Sequence, residues 1–344
     1  MLLMIALIGG GVYTARRMGM SGNAQGAIIG LGALFIVAAQ LTLPDGNPVK
    51  EATGSLGAWT AAGLLLVIGI LYFQFLGNLR EKASEKARPQ LDPTRLTETE
   101  RERYARHIVL KEVGGPGQQR LKKASVLVVG AGGLGSPALQ YLAAAGVGTI
   151  GLIDDDVVSA SNLQRQVIYR DEQIGMPKVF AAVANLKALN PFTDYRPYNR
   201  QMSEDIAAEL IADYDVVLDG TDTYETRFMV NRAAVAAGRP LVSGAISQWE
   251  GQLSLFDPAT GLPCYACVFP DRPKDGLSCE EAGVMGALPG IVGSMMAAEA
   301  IKMITGAGQT LSGRMMIYDA LYGETRTVEI ERRADCAVCG KHNG

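Results

Sequence analysis

A short strand that enters a glycine-rich turn limits the folds open to this chain more than any other feature. Residues 126–129 (VLVV) form a β-branched run typical of a buried strand, and the sequence GAGGLG follows at residues 130–135. We predict a helix over residues 136–145 and a second strand over residues 149–153, which ends in a run of three aspartates beginning with Asp154. This order of strand, glycine turn, helix, strand and acid is typical of a nucleotide-binding βαβ unit.

The same alternation continues along the chain. A capping box at Thr97 and Glu100 predicts a helix to about residue 107. Further helices are predicted over residues 173–189, 224–237 and 289–304, and further strands over residues 215–218, 240–242, 251–256, 314–318 and 325–330. The expected fold is α/β, with a Rossmann-like, mostly parallel sheet that has helices on both faces.

The first 79 residues are almost free of charge. Of the 32 basic and 35 acidic side chains in the chain, only five precede residue 80: Arg16, Arg17, Asp45, Lys50 and Glu51. Apolar stretches occupy residues 1–14, 27–43 and 57–77, and the last is long enough to span a bilayer. We therefore predict a multi-pass anchor of two or three transmembrane helices in residues 1–79. Whether residues 1–14 span or lie in the interface stays open.

The positions of lysine and arginine predict an orientation for this anchor. Basic residues precede the second apolar stretch and follow the third, so the positive-inside rule places residue 80 onward in the cytoplasm, with the anchor in the inner membrane. We predict three segments: an anchor at 1–79, a cytoplasmic linker at 80–96 and a catalytic domain at 97–344. The net charge of −3 provides no basic field that would hold nucleic acid.

Polar residues near the predicted strand ends are suited to a nucleotide. Gly130, Gly132 and Gly133 allow backbone amides to approach a phosphate, and Asp154 is placed to accept hydrogen bonds from ribose hydroxyls. Arg165 and Lys178 have the charge to hold a triphosphate, although either alone is usually a solvated cation.

The sequence GTDT at residues 220–223 supplies a second acid after a predicted strand. Asp222 suits a Mg²⁺ ion that is held partly by substrate phosphates. The alternative is that Asp222 caps the following helix, and the sequence does not separate the two roles.

Four of the five cysteines are arranged as two CxxC pairs, Cys264 with Cys267 and Cys336 with Cys339. Two such pairs that meet in a fold form a closed, structural four-cysteine zinc site, and a reducing cytoplasm disfavours disulfides. The fifth, Cys279, precedes two glutamates, which raise the pKa of a thiol, and its role as a nucleophile stays open.

Histidine is scarce, with two residues in the whole chain, so histidine-based hydrolases and dehydrogenases have little to use. An NAD-dependent oxidoreductase on the same βαβ unit and a non-catalytic, ATP-binding membrane scaffold remain as alternatives.

The soluble part resembles the MoeB/ThiF/HesA family, the bacterial relatives of ubiquitin-activating enzymes. The resemblance runs from about residue 103 to residue 339. It rests on RYARHIVL (103–110), the glycine-turn segment (126–148), SNLQRQ (161–166), GMPKV (175–179), DGTDT (219–223), both CxxC pairs and GVMGALPGIVGSMMAAEAIK (283–302). The predicted membrane segment lies outside this pattern.

The resemblance implies ATP-dependent adenylation of the C-terminal glycine carboxylate of a small ubiquitin-like sulfur carrier that ends in Gly-Gly, with release of pyrophosphate. It places Gly133 and Asp154 at adenosine, Asn162, Arg165 and Lys178 at the phosphates, and Asp222 at Mg²⁺ or the reacting carboxylate. It also implies a homodimer in which Arg106 reaches the ATP of the partner subunit. Thr223 departs from the family pattern, which usually has asparagine at this position. Cys279 matches a family position, but some members adenylate without needing that cysteine.

Overall fold

The computed structural model describes residues 9, 10, 13, 14, 17, 22–53, 55, 57, 64, 68, 69, 71, 72, 74–76, 95–270 and 283–340. The chain divides into two compact units, residues 1–90 and residues 91–344. In the first unit, helix α1 (Gly22–Thr42) is followed by the short helix α2 (Pro48–Thr53). The Gln40 side chain ties them together by donating to the Lys50 carbonyl at 3.1 Å and to Thr53 Oγ1 at 2.7 Å.

The structure corrects the prediction of transmembrane helices. Within the part of the chain that the structure describes, no helix combines the length and the apolar character needed to cross a membrane. The expected multi-pass anchor at residues 1–79, and with it the inner-membrane location and the orientation toward the cytoplasm, is therefore wrong. The prediction used run length and charge depletion, and these features alone do not establish one continuous spanning helix. Most of residues 1–14 and 57–77, and most of the predicted linker, lie outside the described residues.

The second unit is built on one eight-stranded sheet with the order β3-β2-β1-β4-β5-β6-β7-β8. The strands are β1 (Ser125–Val129), β2 (Thr149–Ile153), β3 (Asp194–Tyr198), β4 (Val216–Asp219), β5 (Leu241–Ile246), β6 (Glu250–Phe256), β7 (Arg314–Asp319) and β8 (Glu324–Glu329). Strands β1 to β5 pair in parallel, with Val128 of β1 opposite Leu152 of β2 and Leu218 of β4. Strands β6, β7 and β8 extend the sheet by antiparallel pairing.

Helices cover both faces of this sheet, as the sequence predicts. They are α3 (Glu98–Arg103), α4 (Ala105–Ile108), α5 (Gly114–Lys123), α6 (Gly135–Ala145), α7 (Lys178–Leu189), α8 (Glu204–Ala212), α9 (Tyr224–Ala236), α10 (Tyr265–Val268) and α11 (Leu288–Thr305). Alternate β1 side chains enter two different cores. Val126 and Val128 pack with α6, α7 and α11, whereas Leu127 and Val129 pack with α8, α9 and α10.

The predicted helix after Thr97 is two helices. Its capping box is present, since Thr97 Oγ1 accepts from the Glu100 amide and the Thr97 amide donates to Glu100 Oε2 at 2.8 Å. The helix breaks at Tyr104, which is buried: its hydroxyl accepts a hydrogen bond from Asn190 at 2.8 Å, and its ring fills the space beside Gly146. Lys122 of α5 binds both carboxylate oxygens of Glu100, at 2.6 and 2.7 Å, which fixes α3 to the sheet domain.

Candidate functional site

A cavity of about 580 Å³ lies at the carboxyl ends of the parallel strands. It is the place where doubly wound sheets bind their ligands. All of the residues predicted to contact a nucleotide in their own subunit line it: Gly130, Gly132, Gly133, Asp154, Asn162, Arg165, Lys178, Asp222 and Thr223. Side chains from separate loops thus meet in one space.

The turn after β1 has the geometry that glycine alone permits. Gly130 has a φ of +86°, and a Cβ atom there would lie 3.2 Å from the Gly220 carbonyl oxygen. A Cβ on Gly135 would lie 1.8 Å from the Gly130 carbonyl oxygen. Helix α6 therefore begins directly against the turn, at the cavity end of the sheet.

Asp154 is held rigidly at the end of β2. One carboxylate oxygen accepts from the Ala131 amide at 2.7 Å, and the other accepts from the Asp156 amide at 2.9 Å. Burial raises the pKa of Asp154, and the nearby charge of Lys178 opposes that effect. A partly desolvated carboxylate is stabilised by further donors, and ribose hydroxyls are donors of the right kind.

Lys178 brings a buried positive charge to the cavity. Its side chain is 4% exposed, and its ammonium group lies 2.7 Å from Asp156 Oδ2, whose side chain is 68% exposed. The Lys178 amide also donates to the Asp156 carbonyl at 2.9 Å. The first turn of α7 and the acidic loop after β2 are therefore joined at two points.

Arg165 and Asn162 lie together in the loop that follows. Arg165 donates to Asn162 Oδ1 at 3.1 Å and to the Ser161 carbonyl at 3.2 Å. Both contacts are with its own loop, which orients the guanidinium group beside the cavity that it lines.

Asp222 and Thr223 follow β4, and the structure assigns the helix cap to Thr223. Its hydroxyl accepts from the Thr226 amide at 3.3 Å, so Thr223 is the N-cap of α9. This is the role that the sequence analysis considered for Asp222. The Asp222 carboxylate is exposed at the cavity, where it can serve as a ligand.

The two CxxC pairs meet in a buried four-cysteine cluster, as predicted. The Sγ atoms of Cys264 and Cys336 are 3.6 Å apart, those of Cys264 and Cys267 are 3.9 Å apart, and those of Cys267 and Cys339 are 3.4 Å apart. Four sulfurs around a tetrahedral zinc ion, with Zn–S bonds of about 2.3 Å, lie about 3.8 Å from one another. The cluster therefore has the dimensions of a structural zinc site.

The thiols of this cluster differ in acidity. Burial raises the pKa of Cys264 and of Cys267. Burial acts in the same direction on Cys336, but hydrogen bonds from the Cys339 and Val338 amides and with the Cys267 and Cys264 side chains together outweigh it and bring its pKa to about 7. A metal ion that displaces these protons would hold the thiolates in place, and protons would compete with it as the pH falls.

Known proteins that are similar to this chain indicate its family. The ThiF family model matches residues 104–338. The chain belongs to the ThiF family. A sulfur carrier protein adenylyltransferase of Thermus thermophilus is 49% identical over 252 residues, which cover 72% of this chain and 93% of that protein. A SAMP-activating enzyme E1 of Haloferax volcanii is 45% identical, over 72% of this chain and 91% of that protein.

Longer relatives share only part of their length with this ThiF-family chain. The adenylyltransferase and sulfurtransferase MOCS3 of Bos taurus is 47% identical, and the match covers 72% of this chain but 54% of that protein. Among solved structures, Escherichia coli MccB has a TM-score of 0.62 at 20% identity, over 72% of this chain and 76% of that one. That likeness establishes the fold alone.

The ThiF-family cavity also contains a buried network that the sequence analysis did not identify. Asp219, at the end of β4, accepts from Ser243 at 3.2 Å and lies 3.8 Å from the Arg227 guanidinium. Arg227, on α9, donates to the Thr221 carbonyl and lines the cavity. It fixes the backbone of the loop that carries Asp222. The only local signal is the spacing of Arg227 eight residues after Asp219, which places both near one strand end.

Arg106 is exposed on α4 and is not among the residues that line the cavity of its own chain. Cys279 lies outside the described residues.

Proposed function

We propose that this protein adenylates the C-terminal glycine carboxylate of a small ubiquitin-like sulfur carrier that ends in Gly-Gly, using ATP and releasing pyrophosphate. One observation supports this function above all: Arg165, Lys178 and Asp222 line the same cavity as the glycine turn and Asp154. The adenylyltransferase names of the closely similar relatives point in the same direction.

The nucleotide is expected to lie along the ends of β2, β1 and β4. Asp154 accepts hydrogen bonds from the ribose hydroxyls, and Gly130, Gly132 and Gly133 leave room for adenosine and phosphate beside the backbone. Asn162, Arg165 and Lys178, which line the same cavity, are expected to contact the phosphates. Thr223 also lines the cavity, but its hydroxyl is used to cap α9.

The chemistry requires little beyond positioning and charge. An oxygen of the carrier's carboxylate forms a bond to the α-phosphorus while the bond from that phosphorus to the pyrophosphate oxygen breaks. A carboxylate is already a nucleophile, so the step needs no general base, in agreement with the scarcity of histidine. Arg165 and Lys178 stabilise the charge that develops on the phosphate oxygens and on the departing pyrophosphate.

Asp222 is the expected protein ligand of Mg²⁺. Its carboxylate is free of the capping role and faces the cavity, and magnesium sites commonly combine one or two carboxylates with substrate phosphates. When bound, Mg²⁺ would neutralise part of the phosphate charge. The four-cysteine cluster is expected to hold a structural zinc ion, because all four cysteines are buried and no ligand position is left open to water.

A homodimer completes the proposed site. Arg106 is exposed and lies outside its own cavity, which supports a role in the cavity of a second subunit. Cys279 has no part in adenylate formation in this scheme.

The test is ATP–pyrophosphate exchange by the full-length protein with candidate carriers that end in Gly-Gly. We expect exchange that depends on one carrier and disappears when its last glycine is deleted. Arg165→Ala should lower the exchange rate by at least about 100-fold. Arg196→Ala is the matched control, because Arg196 pairs with Asp194 at 2.9 Å on the edge strand and lies outside the cavity. Absence of exchange with every carrier, in a protein that binds ATP, would contradict the proposal.

A further inference from the structure

The cavity is wider than a nucleotide site needs to be. Asp154 follows β2, whereas Met315, which also lines the cavity, lies on β7. Five strand spacings separate β2 from β7, and at about 4.8 Å each they correspond to about 24 Å. The part beneath β2, β1 and β4 carries the polar residues assigned to ATP, so the part beneath β5, β6 and β7 is left for the second substrate.

Aromatic side chains form the wall of this second part. Phe256, Tyr265 and Phe269 line it together with Met315. The Tyr265 ring packs edge-on against Phe256, with centroids 5.8 Å apart, and lies over Phe269 at 4.7 Å. A further edge-on contact, at 5.3 Å, is with Phe228, which does not line the cavity. Rings packed in this way leave little freedom for Tyr265 to move aside.

The backbone of Tyr265 is held as firmly as its ring. Tyr265 lies between two members of the four-cysteine cluster, Cys264 and Cys267. Its amide donates to Asn231 Oδ1 of α9 at 2.9 Å, in a buried contact. The cysteine cluster and α9 together fix where this aromatic wall stands.

We propose that Tyr265 is a specificity-determining residue that restricts the second part of the cavity to an acyl substrate without side chains near its carboxylate. This inference rests on the proposed function. A fixed ring in the cavity wall excludes even a small group added beside it, and glycine is the one residue that adds none. Tyr265 therefore selects the Gly-Gly terminus of the carrier rather than merely admitting it.

The test compares two carriers in ATP–pyrophosphate exchange by the full-length protein: the natural Gly-Gly carrier and its variant ending in Gly-Ala. One added methyl group in a fitted pocket typically changes kcat/KM by about 10- to 200-fold. We expect the wild type to prefer Gly-Gly within that range. Tyr265→Ala should reduce the preference at least about tenfold, and Tyr265→Phe should keep it, because the ring is retained.

Phe228→Leu is the control for general loosening of the aromatic cluster, since Phe228 touches Tyr265 but does not line the cavity. It should leave the ratio of the two kcat/KM values within about twofold of wild type. The dissociation constant for ATP, the zinc content and the Tm are measured for each variant, and Tyr265→Leu serves if Tyr265→Ala does not fold.

An unchanged ratio in the Tyr265 variants, or an equal change in Phe228→Leu, overturns the inference and leaves the proposed function intact. Failure of the proposed function gives a different result, because the wild type then shows no exchange with either carrier.

Discussion

Replacing Lys178 with methionine should abolish most of the activity while leaving the fold nearly as stable as before. The reason is the unequal burial of its ion pair, in which Lys178 is 4% exposed and Asp156 is 68% exposed. The variant replaces a buried charge by an apolar side chain of similar length, and the carboxylate left behind is already solvated. We expect the free energy of unfolding to change by less than about 1 kcal/mol.

The effect on catalysis should be much larger. Lys178 is the buried cation of the proposed phosphate site, and its loss removes one donor aimed at charge that develops in the transition state. Removing one such donor typically lowers kcat by about 10²- to 10³-fold, which corresponds to about 2.7–4 kcal/mol. Lys178→Arg keeps the charge but not its position, and should recover only part of the rate.

Lys122 provides a control, because its replacement should lower stability and leave activity unchanged. Lys122 also pairs with an acid, but here both partners are buried, with exposures of 5% for Lys122 and 2% for Glu100. Lys122→Met leaves the Glu100 carboxylate buried without its partner, which typically costs about 3–5 kcal/mol. Lys122 lies outside the cavity, so the exchange rate per folded molecule should stay unchanged.

Urea unfolding and ATP–pyrophosphate exchange, measured on wild type and the two methionine variants, check this reasoning. The two lysines should give opposite patterns: lost activity with retained stability for Lys178→Met, and lost stability with retained activity for Lys122→Met. If Lys178→Met unfolds as easily as Lys122→Met, or exchanges at the wild-type rate, the assignment of Lys178 to the phosphates is refuted.

Three further outcomes are expected. Because burial raises the pKa of Asp154 above its ordinary value of 3.8, the folded state keeps this proton to higher pH than the unfolded state, and its carboxyl costs stability as the pH rises through the raised pKa. Urea unfolding of wild type and Asp154→Asn should therefore shift in favour of the variant as the pH rises above about 4, and a shift toward the wild type would contradict this. Cys336→Ser should lower both the zinc content and the Tm, whereas a wild type that loses no stability on chelation would show that the cluster needs no metal. Cys279→Ala should keep full exchange, because adenylation of a carboxylate uses no thiol, and loss of exchange would assign Cys279 to the reaction.

Many strands of the sheet could be predicted from the sequence because they are buried and rich in β-branched residues. The strand of residues 126–129 and the turn after it are recognisable by local sequence alone. The sequence did not predict strand β3, because its residues are mostly polar and include Pro197. A strand that contains proline is tolerated at the edge of a sheet, where β3 lies. Helix α5 begins with glycine and proline, and packing rather than propensity holds it, since Leu121 is fully buried.

The confirmed family and the wrong membrane anchor depended on different kinds of signal. The family rested on ordered motifs along 103–339, each with its own structural requirement, and the family match covers residues 104–338. The anchor prediction rested on the length and charge depletion of the apolar runs in residues 1–79. The length of an apolar run does not establish one continuous helix, so it could not distinguish a spanning helix from other apolar segments.

Within the site, residues adjacent to a motif were predictable and residues joined only by folding were not. The glycines, Asp154 and Lys178 belong to short patterns with known geometry. The pair of Asp219 and Arg227 depends on how α9 packs against β4, and no period in the sequence marks it. The identity of Thr223 as the cap of α9 also required the observed hydrogen bond from the Thr226 amide.

The antiparallel half of the sheet distinguishes this fold from a plain dinucleotide site. Parallel strands β1, β2 and β4 place their carboxyl ends at the cavity, where doubly wound sheets bind their ligands. Strands β6 and β7 widen that edge and supply Phe256 and Met315, while the four-cysteine cluster fixes Tyr265 beside them. The added strands are therefore best explained as the binding site of an acyl substrate that approaches ATP along the sheet edge.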